Sequence, residues 1–213
     1  MPEPGLRERK KQQVRLQISH AATTLIIERG FDAVSVTEIA ERAGVSRMTV
    51  FNYFPRKEDM FYDRVPLIRD LITAAVRNRP ESQTPQTALR DLALKIADPD
   101  HPLPGYPDQL LAFWQVAADS PALRARAREI AEETESLVTD LLTEAGAPAP
   151  RMTAALMAAA FRVCLRDAAH ALAAGTLSLP ELRARLTHTL DAAAAAGRHS
   201  EPELLLDPEP PHR

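Results

Sequence analysis

Arg47, Met48, Thr49, Phe51, Asn52 and Tyr53 put a guanidinium, a thioether, a hydroxyl, an aromatic ring, a carboxamide and a phenol into one short stretch. The set holds neither a nucleophile–base pair nor a metal-ligand cluster. It is an inventory suited to the edges of base pairs. Arg47 can fork onto guanine O6 and N7, and Asn52 can pair with adenine N6 and N7. Met48 and Thr49 are short enough to lie against base edges, where a thymine methyl suits either. Tyr53 can place its hydroxyl on a phosphate, Lys57 can do the same from the start of the next helix, and Asn52 has a phosphate as its alternative partner. Thr37 adds a hydroxyl upstream. Phe51 cannot hydrogen-bond; it packs either on a thymine methyl or sugar, or against its own domain.

Such contacts need rigid placement, and the run Ser35–Lys57, SVTEIAERAGVSRMTVFNYFPRK, is built to supply it. An apolar set (Val36, Ile39, Ala40, Ala43, Val45, Val50 and Phe54) threads through it. Ser35 with Glu38 three residues on is a capping box that opens one short helix. Gly44 stands where that helix must stop, because glycine takes the left-handed backbone without a Cβ clash. Ser46 caps a second helix over about 47–54. Helix, glycine turn, helix is the helix-turn-helix arrangement, whose second helix enters the major groove. The N-termini of both short helices also offer backbone N–H groups to phosphate.

The pattern I-A-x-x-A-G-V-S-x-x-T-x-F-x-Y-F-P-x-K resembles the signature of the TetR family of transcriptional regulators. It is carried by Ile39, Ala40, Ala43, Gly44, Val45, Ser46, Thr49, Phe51, Tyr53, Phe54, Pro55 and Lys57. The likeness reaches back over Leu6–Gly30 as the family's first helix, and so covers the first quarter to third of the chain. Phe51 departs from the family's usual tyrosine. The resemblance implies DNA contact by the residues at these positions, an effector pocket among helices four to seven, and a dimer made by the last two helices of each subunit. On this chain those expectations fall on Phe61, Tyr62, Tyr106, Leu110, Phe113, Trp114, Arg166 and His170 for the pocket; adjacent Phe113 and Trp114 cannot share one helix face, so one of them falls to the core, and Arg166 and His170 have plain packing or surface as their alternative. For the dimer they fall on Leu156, Ala160, Val163, Leu182, Leu186 and Leu190, with a core internal to one chain as the alternative.

Composition agrees with an all-α protein. Glycine is scarce at 7 of 213 residues, alanine runs are frequent, and strand-type alternation is missing. Hydrophobic residues make up 45% and charged residues 26%, ordinary for a globular chain. The single cysteine, Cys164, excludes an intrachain disulfide and a cysteine zinc cluster. Scattered histidines and the lack of H-E-x-x-H, a phosphate-binding glycine loop or G-x-S-x-G argue against an enzyme, and no cofactor or metal is called for. Net charge is −3, yet its distribution matters more. The first sixty residues carry ten Lys/Arg against eight Asp/Glu, and the remainder sixteen against twenty-one. Arg7, Arg9, Lys10, Lys11 and Arg15 face only Glu8. The basic segment up to about Arg7 reads as a loose phosphate arm, with a solubilising tail as its alternative. With no apolar core for a signal peptide and no run long enough for a membrane span, a cytoplasmic location with no membrane partner is expected.

Nine helices are expected, organised as a helix-turn-helix domain over 1–55, a helical effector-binding and dimerisation domain over 56–197, and a disordered tail over 198–213. The fourth helix should run from about residue 56 to 78 with a kink at Pro66, whose missing N–H leaves the Tyr62 carbonyl without its usual partner. A second capping box, Ser178 to Glu181, should open the last helix. The reading that follows is a homodimeric repressor of a palindromic operator, released by a small apolar molecule. Its rivals are a DNA-binding regulator controlled by a protein partner or abundance, and a helical-bundle enzyme.

Overall fold

The computed structural model describes residues 5–96, 110–174 and 179–196. These form ten helices: α1 Leu6–Arg29, α2 Val36–Arg42, α3 Arg47–Tyr53, α4 Lys57–Phe61, α5 Val65–Arg77, α6 Pro85–Ile96, α7 Leu110–Asp119, α8 Pro121–Glu144, α9 Pro150–Ala173 and α10 Leu179–Ala196. Among the described residues there is no strand. Expectations for Tyr106, the Ser178 cap and the 198–213 tail lie outside the described residues. So do the side chains of Leu110, Cys164, Arg166, His170 and Leu182.

The chain forms two compact units, and their boundary does not follow a single cut near residue 55. One holds residues up to Arg69 together with α7 and α8 as far as Glu132; the other holds residues from Asp70 through α6 and from Glu133 onward. In the first unit α1 supplies Ile18, Ala21, Ala22, Leu25 and Ile26 at three- and four-residue spacing, all buried. Ile39 and Ala40 of α2, Val50 of α3, Phe54, and Met60 and Phe61 of α4 close on that stripe, and Ala117 and Leu123 join from α7 and α8. Each large apolar side chain enclosed this way stabilises the domain by about 1.5–3 kcal/mol. The helix-turn-helix is therefore seated on α1 in front and on part of the later helices behind.

The expected fourth helix is two helices. α4 ends at Phe61 and α5 begins at Val65, with a turn over 62–64. The Tyr62 carbonyl is not orphaned, because Val65 N–H donates to it at 3.1 Å. Pro66 lies at the second position of α5, where its absent N–H costs no helical bond. The proline thus fits a new helix start instead of kinking a continuous one, which is why ten helices stand where nine were expected.

In the second unit α10 packs on α9 and α6. Its interior includes Ile72, Val76, Leu89, Leu141, Leu142, Ala154, Met157, Leu186 and Leu190. Arg90 of α6 forks onto Asp191 of α10 at 2.8 and 3.3 Å, and Arg77 of α5 reaches Glu144 of α8 at 3.0 Å. Such exposed pairs are worth at most about 1 kcal/mol each. Leu186 and Leu190 are each only 1% exposed, which corrects the expectation that they form a dimer surface. They are core of their own bundle. Ala160 is buried as well, whereas Leu156 is half-buried and Met152 and Val163 are exposed.

Candidate nucleic-acid interface

α3 is short, so its termini and its packed face must hold it. Ser46 accepts from the Thr49 N–H at 3.0 Å, and the two hydroxyls are 2.8 Å apart. Val50 and Phe54, one turn apart, are 0% and 1% exposed and anchor the helix in the core. The opposite face carries Arg47, Met48, Phe51 and Asn52, all exposed. Met48, at 70% exposure, is a large apolar group held in solvent by its backbone. The Arg47 guanidinium lies 5.5 Å from the Phe51 ring centroid, so the aromatic ring pre-positions the cation. Thr49 and Tyr53 sit at the margin, both half-buried.

α2 opens with the expected capping box. Glu38 N–H donates to Ser35 Oγ at 3.2 Å, and Ser35 N–H donates to the Glu38 carboxylate at 2.8 Å. Arg29 closes the set with a 2.8 Å ion pair to Glu38. The Ser35 backbone N–H above all, then its hydroxyl and Arg29, hold the Glu38 carboxyl down at about 2. Thr37 is exposed beside it. Each serine cap takes up one of the backbone donors that the sequence offered to phosphate. The intervening turn needs Gly44, at φ 64°, in the left-handed region.

Two cations of this domain, Lys57 and Arg15, are engaged inside the fold. The Lys57 ammonium donates to the carbonyls of Phe31 and Val34, at 2.5 and 2.7 Å, and lies 3.9 Å from the Phe31 ring centroid. It locks the loop between α1 and α2, and burial pushes its pKa below the ordinary lysine value. Two of its three protons are used within the fold, which leaves one for the phosphate expected there. Arg15 donates to the Tyr53 carbonyl at 3.3 Å and the Asp63 carbonyl at 3.4 Å, with its guanidinium 4.3 Å from the Phe54 ring centroid. One side chain therefore ties α1 both to the end of α3 and to the turn between α4 and α5. A basic residue among other basic residues carries no sequence signal for that role; only folding brings the two carbonyls together.

The aromatic residues expected to line a pocket pack on one another. Phe61, 2% exposed, stacks on Phe113 at 4.2 Å with ring planes 3° apart. Tyr62 meets both edge-on at 5.3 and 6.1 Å, and Trp114 meets Phe113 edge-on at 5.6 Å. The Tyr62 hydroxyl donates to the Leu123 carbonyl at 3.2 Å, and burial raises its pKa to about 12. Phe61 and Tyr62 thus cement the end of α4 and the turn after it to α7 and α8. A charged set runs alongside: Arg126 to Asp59 at 2.7 Å and to Glu129 at 3.0 Å, with Arg56 on the same Glu129 at 2.6 Å. The Arg56 hydrogen bond, then that of Arg126, lowers the Glu129 pKa.

Comparison with known proteins falls on the same segment. Residues 18–62 match the family profile described as bacterial regulatory proteins, tetR family. The chain is 28% identical over 144 residues to the HTH-type transcriptional regulator TcmR of Streptomyces glaucescens, over 65% of this chain and 63% of that protein. It therefore spans slightly less than two thirds of that relative. It is 28% identical over 176 residues to the HTH-type transcriptional regulator BetI of Paraburkholderia phymatum, over 82% of this chain and 81% of that one. Among solved structures, the SmeT–triclosan complex is similar with a TM-score of 0.58 at 18% identity, covering 86% of this chain and 91% of that one. NalD, the secondary repressor of the MexAB-OprM multidrug efflux pump in Pseudomonas aeruginosa, is similar with a TM-score of 0.56 at 19% identity, covering 85% and 96%. At these identities the structural likeness concerns the fold.

Proposed function

From the match of residues 18–62 to the tetR-family profile, we propose that the chain is a DNA-binding regulator of the TetR type and works as a homodimeric repressor of a palindromic operator, released by a small apolar molecule. The observation that carries the DNA-reading part is the exposed Arg47–Met48–Phe51–Asn52 face on a helix whose other side is fully buried. Arg47 reads guanine, Asn52 reads adenine or a phosphate, and Met48 and Phe51 lie on thymine methyls or sugars. Tyr53 and Thr37 hold phosphates on either side. Two such helices in one dimer read half-sites whose centres lie about 34–36 Å apart.

The dimer surface assigned under this reading is the outer face of α9, with Met152, Leu156 and Val163 at helical spacing. Release follows from a shift at the 62–64 turn, which separates α4 from α5 and is held to α1 by Arg15. Effector and operator then weaken each other's binding by the same factor. NalD is named a repressor and SmeT is seen with triclosan; both motivate the ligand-released form of the proposal. A regulator without a small-molecule effector is the second reading, favoured by the close packing of Phe61, Tyr62 and Phe113 where a ligand was expected.

Selection of bound duplexes from a random pool tests the first part, with enrichment of a palindrome expected. A pool that stays unenriched at low salt removes it. Thermal shift against a library of apolar compounds, followed by operator release, separates the two forms of control. No shift across the library favours the second.

A further inference from the structure

Beside α3 runs an open groove of about 810 Å³, lined by Gly5, Arg7, Glu8, Lys10, Lys11, Val14, Asn52 and Tyr53. One wall is the first two turns of α1; the other is the end of the recognition helix. The basic start of the chain is thus helical from Leu6, with Glu8 and Arg9 N–H groups donating to the Gly5 carbonyl at 2.9 and 3.0 Å. Arg7, Lys10, Lys11 and Val14 recur at three- and four-residue spacing and so share one side of the helix. Val14 packs against the domain core, which fixes the rotation of α1 and aims the three cations along the groove. All three are exposed.

We propose that this groove seats a phosphodiester strand of the duplex whose base edges face α3, with Arg7, Lys10 and Lys11 as a rigid rail on one side and Asn52 and the Tyr53 hydroxyl on the other. The inference rests on the DNA-reading function proposed above and assigns it a second, sequence-independent surface. From Arg7 to Val14 the helix rises about 10 Å, so its cations can face neighbouring phosphates of one strand. Three cations against the single carboxylate of Glu8 give the groove the sign a polyanion requires. A rail on a helix loses less freedom on binding than a loose arm, so its cations act at full strength on any sequence. Glu8 is the one group in the groove that opposes the strand.

The test uses the full chain and a duplex selected from a random pool, beside an unrelated duplex of equal length. The variant Arg7→Ala/Lys10→Ala/Lys11→Ala should weaken binding to both duplexes by the same factor and flatten the plot of log K against log salt by about 2–3 per protomer. Glu8→Gln should tighten both by about fivefold at physiological salt. A control lacking three exposed cations of the second unit, Lys95→Ala/Arg151→Ala/Arg185→Ala, should leave the slope unchanged. The inference is overturned if the triple variant keeps the wild-type slope, if it alters the preference between the two duplexes, or if the control matches it. Those results leave DNA reading by α3 intact. Absence of any duplex binding by the wild-type chain at low salt removes the underlying function instead, and the two failures are distinct.

Discussion

Single side chains in this domain divide into those that face outward, where the proposed function puts the duplex, and those that hold the outward ones still. Arg47 and Lys57 show the division. Arg47 is exposed on α3, so Arg47→Ala should leave the thermal midpoint near wild type and lower operator affinity by about 1–3 kcal/mol, with relaxed preference at one base position in a selection experiment. Lys57 satisfies two backbone carbonyls, and Lys57→Met should cost about 1–3 kcal/mol in urea unfolding before any DNA is present. An unchanged unfolding midpoint for that variant would leave Lys57 a role at the DNA surface alone. Glu38 adds a pH signature. Its pKa in the folded protein is about 2, against 4.5 for the ordinary group, so its contribution is complete above about pH 4.5 and is lost as pH falls toward 2. The gap in melting temperature between wild type and Glu38→Gln should therefore be open at pH 7 and narrow steadily below pH 4.5.

At the scale of elements, caps and turns were the most legible part of the chain. The residues that start and stop α2 and α3 act over three or four positions, and local bonds do not wait for the rest of the fold. Gly44 illustrates this. Its φ of 64° is disfavoured for residues with a Cβ, and nothing lies within 4 Å of where a Cβ would stand. Gly44→Ala should thus cost about 1–2 kcal/mol from backbone conformation alone, with no steric relief from changing neighbours. The break between α4 and α5 was not legible. Pro66 marks an irregularity, but its place is set by Val65 N–H on the Tyr62 carbonyl, Arg15 on the Asp63 carbonyl and the Tyr62 hydroxyl on the Leu123 carbonyl. Two of those three contacts join residues more than forty positions apart. Pro66→Ala should accordingly destabilise by no more than about 1 kcal/mol, through the freer unfolded chain, and leave effector-induced operator release as in wild type. Arg15→Met should instead uncouple the turn from α3 and reduce that release; normal release in Arg15→Met would remove the 62–64 turn from the proposed mechanism.

For the whole molecule the decisive question is which apolar faces are spent inside one chain. The stripes on α9 and α10 look alike in sequence, since Leu156, Ala160, Val163, Leu186 and Leu190 all recur at helical spacing. In the fold Leu186 and Leu190 are buried against their own bundle, while Met152 and Val163 stay in solvent. Leu186→Ala should therefore cost about 2–5 kcal/mol of stability by leaving a cavity. Met152→Asp/Val163→Asp should do little to the folding of the subunit but shift sedimentation from dimer to monomer and abolish binding to a full palindrome while sparing a half-site. A dimer that survives both substitutions would place the two-fold surface elsewhere.

Helical content and the capped helix pair followed from the sequence alone, as did the set of side chains on the outward face of α3, because each depends on residues within a turn or two of one another. Tertiary structure decided which cations lock the domain, where the long fourth helix parts, and which leucines are core. Those outcomes depend on carbonyls and apolar surface contributed from tens of residues away, and local residue type carries no record of such distant partners.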